Sequence, residues 1–550
     1  MNTNSRLLLI SILLVFVLLW TGCAPTPEEA PAEMPEQPQV VETEETLVTE
    51  EETVLTVAFN SGVANLDPAV ACDNEAGTVL LNVFDQLVQK GITPEEDGSF
   101  TGSSTDIQPM LATSWTISPD AREFTFKIRD GIKFTNGNVL DANAVKYSLD
   151  RTAKMLQCGE YALTAGLSGN IESVEAPDNE TVVVRLKESD PLFLEALTLF
   201  PSSIVDPAVV EAHGGVVEGE TNEYMAGNAV GSGRYMITTY DPETEIVLEA
   251  NPEYWGEKPK SDRIVIKVVK DPSTRELLLR SGELDVAFRV PSKNLARFEE
   301  EGFQIIKHPS PEITYLGFNN TQSPLDDVKL REALLYAVPY EALVEDVLHG
   351  YGSQLIGPIP STMAYYCEDV TYPYELDLEK AQELLSESGY ESAELSLDVR
   401  AGFTEHEEIA VILQNNLKQI GIDLTINKLN TAEYQDRVWN FKSEMFLADD
   451  QPWINDPGYN LGYNLPCGEY YNWGQYCNEQ VDQWLLEARH ETDTEKRRQL
   501  YCDISQQFID DAPWIMLFVR DETVIMPQNV KGYLFDPSGA HPLYTLEKTN

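Results

Sequence analysis

Residues 109–151 read PMLATSWTISPDAREFTFKIRDGIKFTNGNVLDANAVKYSLDR. Phe124, Phe126 and Ile128 alternate with Thr125 and Lys127, the period-two pattern of a half-buried strand. Asp130-Gly131 is a tight-turn pair, and Ile132-Lys133-Phe134 predicts the start of a return strand. Asp141 stands where it can cap a helix over residues 142–151. Strand, turn and capped helix in one short stretch specify a mixed α/β chain. They are structural devices and carry no function.

Outward from this stretch the same mixture continues. Residues 54–59, VLTVAF, form a β-branched run suited to a buried strand, and Asn65-Leu66-Asp67-Pro68 turns the chain. Residues 76–89 predict a helix with Val79, Leu80, Val83, Phe84 and Leu87 on one face. Residues 395–400, LSLDVR, alternate as a strand that ends on Arg400, and a helix is expected over 407–420.

The chain has 550 residues, which predicts two to four domains or lobes. Hydrophobic residues at 42% and aromatics at 9% are those of a soluble globular protein. Ninety-one acids against 38 bases give a net charge of -53, which argues against nucleic acid as a partner.

Residues 7–20, LLLISILLVFVLLW, are a run of fourteen, apolar but for Ser11, after one basic residue. The length suits a signal-peptide core better than a membrane span. Thr21-Gly22-Cys23 follows and resembles the bacterial lipobox, with Trp20 where that motif usually has Leu. The resemblance implies a signal peptide over 1–22 and lipidation of Cys23; an uncleaved membrane anchor is the alternative. Residues 24–52 hold ten Glu and no basic residue, so 23–52 are expected to be an acidic disordered tether. Six cysteines follow Cys23: Cys72, Cys158, Cys367, Cys467, Cys477 and Cys502. They permit three disulfides in fifteen connectivities, and only Cys467–Cys477 is close enough in sequence to propose. None has zinc-site spacing, and neither a metal nor a cofactor is expected.

An ordered series of motifs resembles the family 5 extracytoplasmic solute-binding proteins, the peptide receptors of ABC importers, with the dipeptide-binding branch nearest. It begins with ATSW…SPD…FTFKIRDGIKF…A..VKYSLDR. It continues through Gly231-Ser232-Gly233-Arg234-Tyr235, where Arg234 replaces the usual Pro or bulky apolar residue, and through Asn251-Pro252-Glu253-Tyr254-Trp255-Gly256. Leu316-Gly317-Phe318-Asn319-Asn320, the run 325–334, the helix 377–389 and Val530-Lys531-Gly532-Tyr533…Asp536-Pro537 complete it. The resemblance implies a two-lobed α/β periplasmic-binding-protein-like fold with an extra inserted domain (class C type). Lobe I would combine 53–92, 228–309 and 513–550; the inserted domain II would be 93–227; lobe III would be 310–512. The apolar runs 313–318 and 514–519 lie at the two proposed crossings, making a hinge of two crossing strands.

Residues 446–477, FLADDQPWINDPGYNLGYNLPCGEYYNWGQYC, hold eight aromatics, four acids and no Lys or Arg. One reading is a loop folded on its own aromatics; the other is a binding wall with acids to receive a cation. In dipeptide-binding relatives an Arg at the end of the corresponding strand holds the ligand carboxylate, which places that role on Arg400; a surface ion pair is the plain alternative. Those relatives have an Asp three residues before Asp456-Pro457, where this chain has Trp453. Asp450, with Asp449, is then the candidate for the ligand amine, or Trp453 meets the cation by its ring. Cys467 and Cys477 stand where relatives have a disulfide, holding Tyr471 and Trp473 in place. Asn319, Asn320 and Asp456 complete the candidate ligand-binding set, the asparagines equally readable as turn residues.

No G-x-S-x-G elbow, HExxH or phosphate loop occurs, and the six histidines are scattered, so an enzyme is not expected. The expected function is capture of a small peptide or similar zwitterion between the lobes and delivery to ABC permease subunits. The protein would be a monomer, extracytoplasmic and lipid-anchored to the cell membrane. The same fold also serves receptors for nickel chelates or oligosaccharides, and ligand sensors.

Overall fold

The computed structural model describes residues 52–549. The signal peptide, Cys23 and all but the last residue of the acidic tether lie outside the described residues. No helix among the described residues is long and apolar enough to cross a membrane.

An eleven-stranded mixed sheet runs through the molecule. One half is ordered Ile422–Leu429, Ala393–Arg400, Met445–Asp450, Gln304–Phe318, Trp514–Met526. It continues through Val286–Phe288, Val54–Phe59, Arg263–Val268, Glu245–Ala250 and Tyr235–Asp241, and the short strand Gly352–Gln354 joins Trp514–Met526. The long strands Gln304–Phe318 and Trp514–Met526 pair antiparallel at its centre. Gln304 to Pro309 pair with Met526 to Asp521; the register then shifts, and Ile313 to Gly317 pair with Val519 to Trp514. At the break Ser310 Oγ donates to Arg520 O at 2.7 Å and accepts from Glu312 N at 3.1 Å. Beyond one end of this pair the sheet continues through Val286–Phe288, and beyond the other through Met445–Asp450. These strands are the two crossings of a two-lobed fold.

Both faces of the crossing strands are covered over 313–318 and 514–519, so those stretches read as near-continuous apolar runs. Leu316 and Phe318 face one core with Leu395, Leu397 and Leu447. Ile313 and Tyr315 face another with Phe446, Ala448 and Trp514. A separate core of Leu55, Val57, Leu80, Phe84 and Tyr235 fills the half built on Val54–Phe59. The sequence 109–151 belongs to a four-stranded antiparallel sheet ordered Ala112–Ile117, Glu123–Ile128, Thr181–Leu186, Ile171–Asp178. Phe124, Phe126 and Ile128 point into its core, as their alternation predicts.

Asp141 caps the helix Ala142–Met155, accepting from Asn143 N and Ala144 N at 2.9 and 3.2 Å. Two local expectations are corrected. The return strand at 132–134 does not form beyond one bridge between Lys133 and Val139. Both edges of Glu123–Ile128 are already paired, with Ala112–Ile117 and Thr181–Leu186, which leaves a return strand no partner. The helix expected over 76–89 is Asn74–Val83, and Val88–Pro94 is a strand. Tertiary contacts override its period: Gly233 N donates to Val83 O at 2.9 Å. The next turn is drawn out by buried Asp85, which accepts from Ser232 Oγ and Trp255 Nε1 at 2.9 and 2.7 Å.

Three disulfides are present: Cys467–Cys477, Cys72–Cys158 and Cys367–Cys502.

Candidate ligand-binding cleft

Ala393–Arg400 runs parallel to Met445–Asp450, with Leu397 and Asp398 opposite Met445 and Phe446. Arg400 and the Asp449-Asp450 pair therefore end their strands on the same edge of the sheet. Ligand sites of α/β lobes favour that edge. On its other side Met445–Asp450 pairs with the crossing strand, Ile313 opposite Asp450 and Thr314 opposite Asp449. The two acids thus sit beside the register break between the lobes.

Their side chains point into different settings, as adjacent residues of a strand do. Asp449 accepts from Thr314 Oγ1 at 2.6 Å and contacts His406 Nε2 at 3.1 Å. Burial acts to raise its carboxyl, but His406, Arg520 and Thr314 together hold it well below the usual carboxylate range. Asp450 accepts from Tyr463 Oη and Asn464 Nδ2, each at 3.0 Å. Burial pushes its carboxyl up to about 6 against those hydrogen bonds. Among the described residues Asp450 has no ion-pair partner.

Arg400 is the converse. Its guanidinium lies 3.6 Å from the Phe403 ring centroid and 5.6 Å from that of Tyr434. Among the described residues it makes no ion pair or hydrogen bond, and its Nε is buried without a partner. It lines a cavity of about 550 Å3 whose other walls include Asn74, Arg289, Phe403 and His541. Arg289 is held by Glu312, its Nη1 and Nη2 donating at 3.0 and 3.1 Å to the two carboxylate oxygens.

The acids line a second cavity, of about 280 Å3, walled by Tyr161, Tyr315, Trp453, Tyr463, Tyr471 and Trp473. The two cavities meet where Trp453 Nε1 donates to Asn74 Oδ1 at 2.9 Å, and Cys72 borders both. Side by side, they are the candidate cleft, with a cation in one cavity and a carboxyl among aromatic rings in the other.

The structure brings Arg400, Asp449, Asp450, Trp453, Tyr471 and Trp473 to this cleft. Three other candidates are committed to the scaffold. Asn319 Nδ2 donates to Phe441 O at 3.3 Å, and Asn320 Nδ2 donates to Gly474 O at 2.8 Å. Asp456 caps the helix Pro457–Asn464 and holds Arg497 through two bonds of 2.9 and 2.8 Å. An acid immediately before Pro is a helix-start signal, so this role was readable. Sequence reasoning missed Tyr161, Tyr315, Tyr463, Asn464 and His406. Tyr463 lay within the quoted loop, whereas Tyr161 is delivered by the helix Cys158–Leu163, tied through Cys72–Cys158.

Residues 106–472 match the family model described as bacterial extracellular solute-binding proteins, family 5 Middle. The chain is 32% identical over 480 residues to the probable D,D-dipeptide-binding periplasmic protein DdpA of Escherichia coli strain K12, covering 86% of this chain and 89% of that one. It is 28% identical over 495 residues to the glutathione-binding protein GsiB of Escherichia coli O1:K1 / APEC, covering 88% and 92%. In structure it resembles the ABC transporter-associated periplasmic binding protein DppA from Helicobacter pylori, solved in complex with the peptide STSA. There the TM-score is 0.77 at 25% identity, over 91% of this chain and 99% of that one.

Proposed function

Since the chain belongs to the bacterial extracellular solute-binding proteins of family 5, we propose that its cleft captures a small peptide or similar zwitterion for an ABC importer. The observation that carries the reading is the guanidinium of Arg400, which lines the cleft and forms no ion pair among the described residues, although Asp73 and Glu75 line the same cavity. In a molecule of net charge -53 an unanswered arginine is conspicuous, and its planar fork matches a carboxylate. Asp450 among its rings suits the opposite charge of the same ligand. Relatives named for dipeptide, glutathione and peptide binding support this cargo class. They also support binding and transport over catalysis.

The two crossing strands make the cleft a closable one, with lobe closure trapping the ligand. The apolar run 7–20 and Cys23 support a lipid anchor that keeps the monomer at the outer face of the cell membrane. Replacing Cys23 with Ser should release the protein from the membrane fraction.

The test of the function is calorimetry with di- to pentapeptides, each as free acid and C-terminal amide. The free acids should bind the wild type, and Arg400→Ala should lose about 1.5–3 kcal/mol for them alone. Equal affinity of the variant for acid and amide forms, with no loss from the wild-type value, removes the carboxylate clamp. Peptide uptake lost on deletion of the gene separates import from sensing.

A further inference from the structure

The two acids of the cleft are answered unequally. Asp449 has His406 within hydrogen-bond distance and the charge of Arg520 close by. Asp450, one residue on, has among the described residues only the neutral donors Tyr463 and Asn464. Asp450 is half-buried, and a carboxylate so shielded from water without a counter-ion is costly unless something brings one.

The surroundings indicate what does. Successive ring centroids are 6.1 Å apart for Tyr161–Tyr463, 5.6 Å for Tyr463–Tyr471 and 6.1 Å for Tyr471–Trp473. Aromatic faces are electron-rich and attract cations, most strongly where water is excluded. The same faces pack well on methylene groups, as the stems of long basic side chains do on apolar surface. Size rules out a bare ammonium as the occupant. An ammonium needs roughly the ~30 Å3 share of a water molecule, whereas this cavity measures about 280 Å3. The carboxyl therefore waits for the tip of a chain whose stem lines the rings.

We infer that the cavity around Asp450 is a specificity pocket for a basic side chain, of lysine or arginine type, on the captured peptide. The inference rests on the proposed peptide reading and adds to it which peptides are taken. The charge sits on Asp450, and the stem runs between Tyr161, Tyr463 and Tyr471. The ligand carboxylate stays with Arg400 in the neighbouring cavity. The large negative charge of the protein draws such cargo toward the cleft.

The experiment is calorimetry with a tripeptide series in which lysine, placed at each position in turn, is replaced by its neutral isostere norleucine. Each peptide is also made Nα-acetylated and C-terminally amidated. For the best lysine position the wild type should prefer lysine over norleucine by about tenfold or more, the scale of one desolvated charge contact. Acetylation should leave that preference in place. Asp450→Asn should bring it to within about twofold, and Tyr471→Leu should reduce it in part, with both variants checked by thermal melts. The inference is overturned if norleucine binds as well as lysine at every position. It is equally overturned if acetylation abolishes binding whatever the side chain, because the pocket then takes the terminal ammonium, or if Asp450→Asn keeps the full preference. Failure of the underlying peptide reading looks different: no member of the series, lysine or norleucine, free or blocked, then binds the wild type.

Discussion

The indole Nε1 of Trp453 donates to Asn74 Oδ1 across 2.9 Å, between the loop after strand Met445–Asp450 and the start of helix Asn74–Val83. The same indole packs edge-on against Phe200, with centroids 5.1 Å apart. One side chain thus joins three distant parts of the chain over the cleft. Trp453→Phe keeps most of the apolar contact and removes the donor, leaving Asn74 Oδ1 unanswered. The closed form should lose about 0.5–1.5 kcal/mol. Stopped-flow measurement should then show ligand release accelerating by roughly two- to tenfold, with association little changed.

A stronger tie lies at the far side of the same junction. Arg489 Nη1 donates to Asp190 Oδ1 at 2.7 Å and Nη2 to Ala165 O at 3.0 Å. The two side chains are 6% and 0% exposed, so removal of one leaves a buried charge behind. Asp190→Ala should therefore cost about 3–5 kcal/mol, read as a fall in the chemical-denaturation midpoint. Asp190→Asn, which keeps an acceptor for the guanidinium, should cost less.

How far the sequence carried the fold and the cleft depends on whether each cause was local. The Asp141 cap, the 54–59 strand and the strand ending on Arg400 follow from neighbouring residues, and they are where the sequence puts them. The end of the helix at Val83 is set by residues near 231, and the fate of 132–134 by a strand some fifty residues later. Neither is visible in a local window. The cleft divides the same way. Asp449, Asp450, Trp453, Tyr471 and Trp473 come from one loop-rich stretch and could be named together. Tyr161 arrives through a disulfide to Cys72 across 86 residues, one of fifteen possible connectivities. Asn319 and Asn320 donate to backbone carbonyls instead. An asparagine donates to a backbone carbonyl as readily as to a ligand, and sequence alone does not separate the two.

A half-buried acid gives the protein a pH dependence of defined sign. Burial pushes the Glu195 carboxyl up to about 8, with Lys90 acting against this and Asp456 and Asp536 adding to it. Among the described residues its carboxylate accepts one hydrogen bond, from Asn455 N at 3.3 Å. The unfolded chain gives up this proton near an ordinary glutamate pKa, about 4.3. The folded chain holds it to about 8. The unfolded state therefore binds fewer protons between those values, and this group's contribution to stability falls as pH rises through that window. Glu195→Gln keeps an acceptor for Asn455 and cannot ionise. Urea titrations from pH 5 to pH 8.5 should show the variant losing less stability with rising pH than the wild type. Parallel slopes would remove Glu195 as the source.

The Gly231-Ser232-Gly233 motif has a steric cause that can be tested directly. A Cβ on Gly231 would lie 2.0 Å from Val83 O, and one on Gly233 would lie 2.5 Å from Val83 C. Backbone is the obstacle in both cases, so no rotamer relieves it. Gly231→Ala should destabilise by at least about 1–3 kcal/mol, the range for overpacked sites. Gly462→Ala is the control, because a Cβ there meets nothing within 4 Å. Equal denaturation midpoints for Gly231→Ala and the wild type would contradict the close approach.

Two devices hold the loop that carries Tyr471 and Trp473, and they act on different states of the chain. The Cys467–Cys477 disulfide closes a loop of ten residues. In the chain-entropy model its main effect is on the unfolded chain, about 3 kcal/mol. Buried Asn472 acts on the folded loop itself. Its Nδ2 lies within hydrogen-bond distance of the carbonyls of Leu465, Pro466 and Tyr476, at 3.1, 3.0 and 2.6 Å, and its Oδ1 accepts from Tyr476 N at 3.1 Å. Asn320 fixes the loop from outside through Gly474 O at 2.8 Å. With these bonds intact, Tyr471 and Trp473 keep their places after the disulfide is removed. The double substitution Cys467→Ser, Cys477→Ser should lower the denaturation midpoint while leaving peptide affinity within about twofold of the wild type. Asn472→Ala should instead lower affinity by about tenfold, because three buried backbone groups, of Leu465 and Tyr476, lose their partner and the ring wall shifts. Calorimetry on the two variants decides the assignment: the reverse order of affinities would put the shape of the cleft on the disulfide.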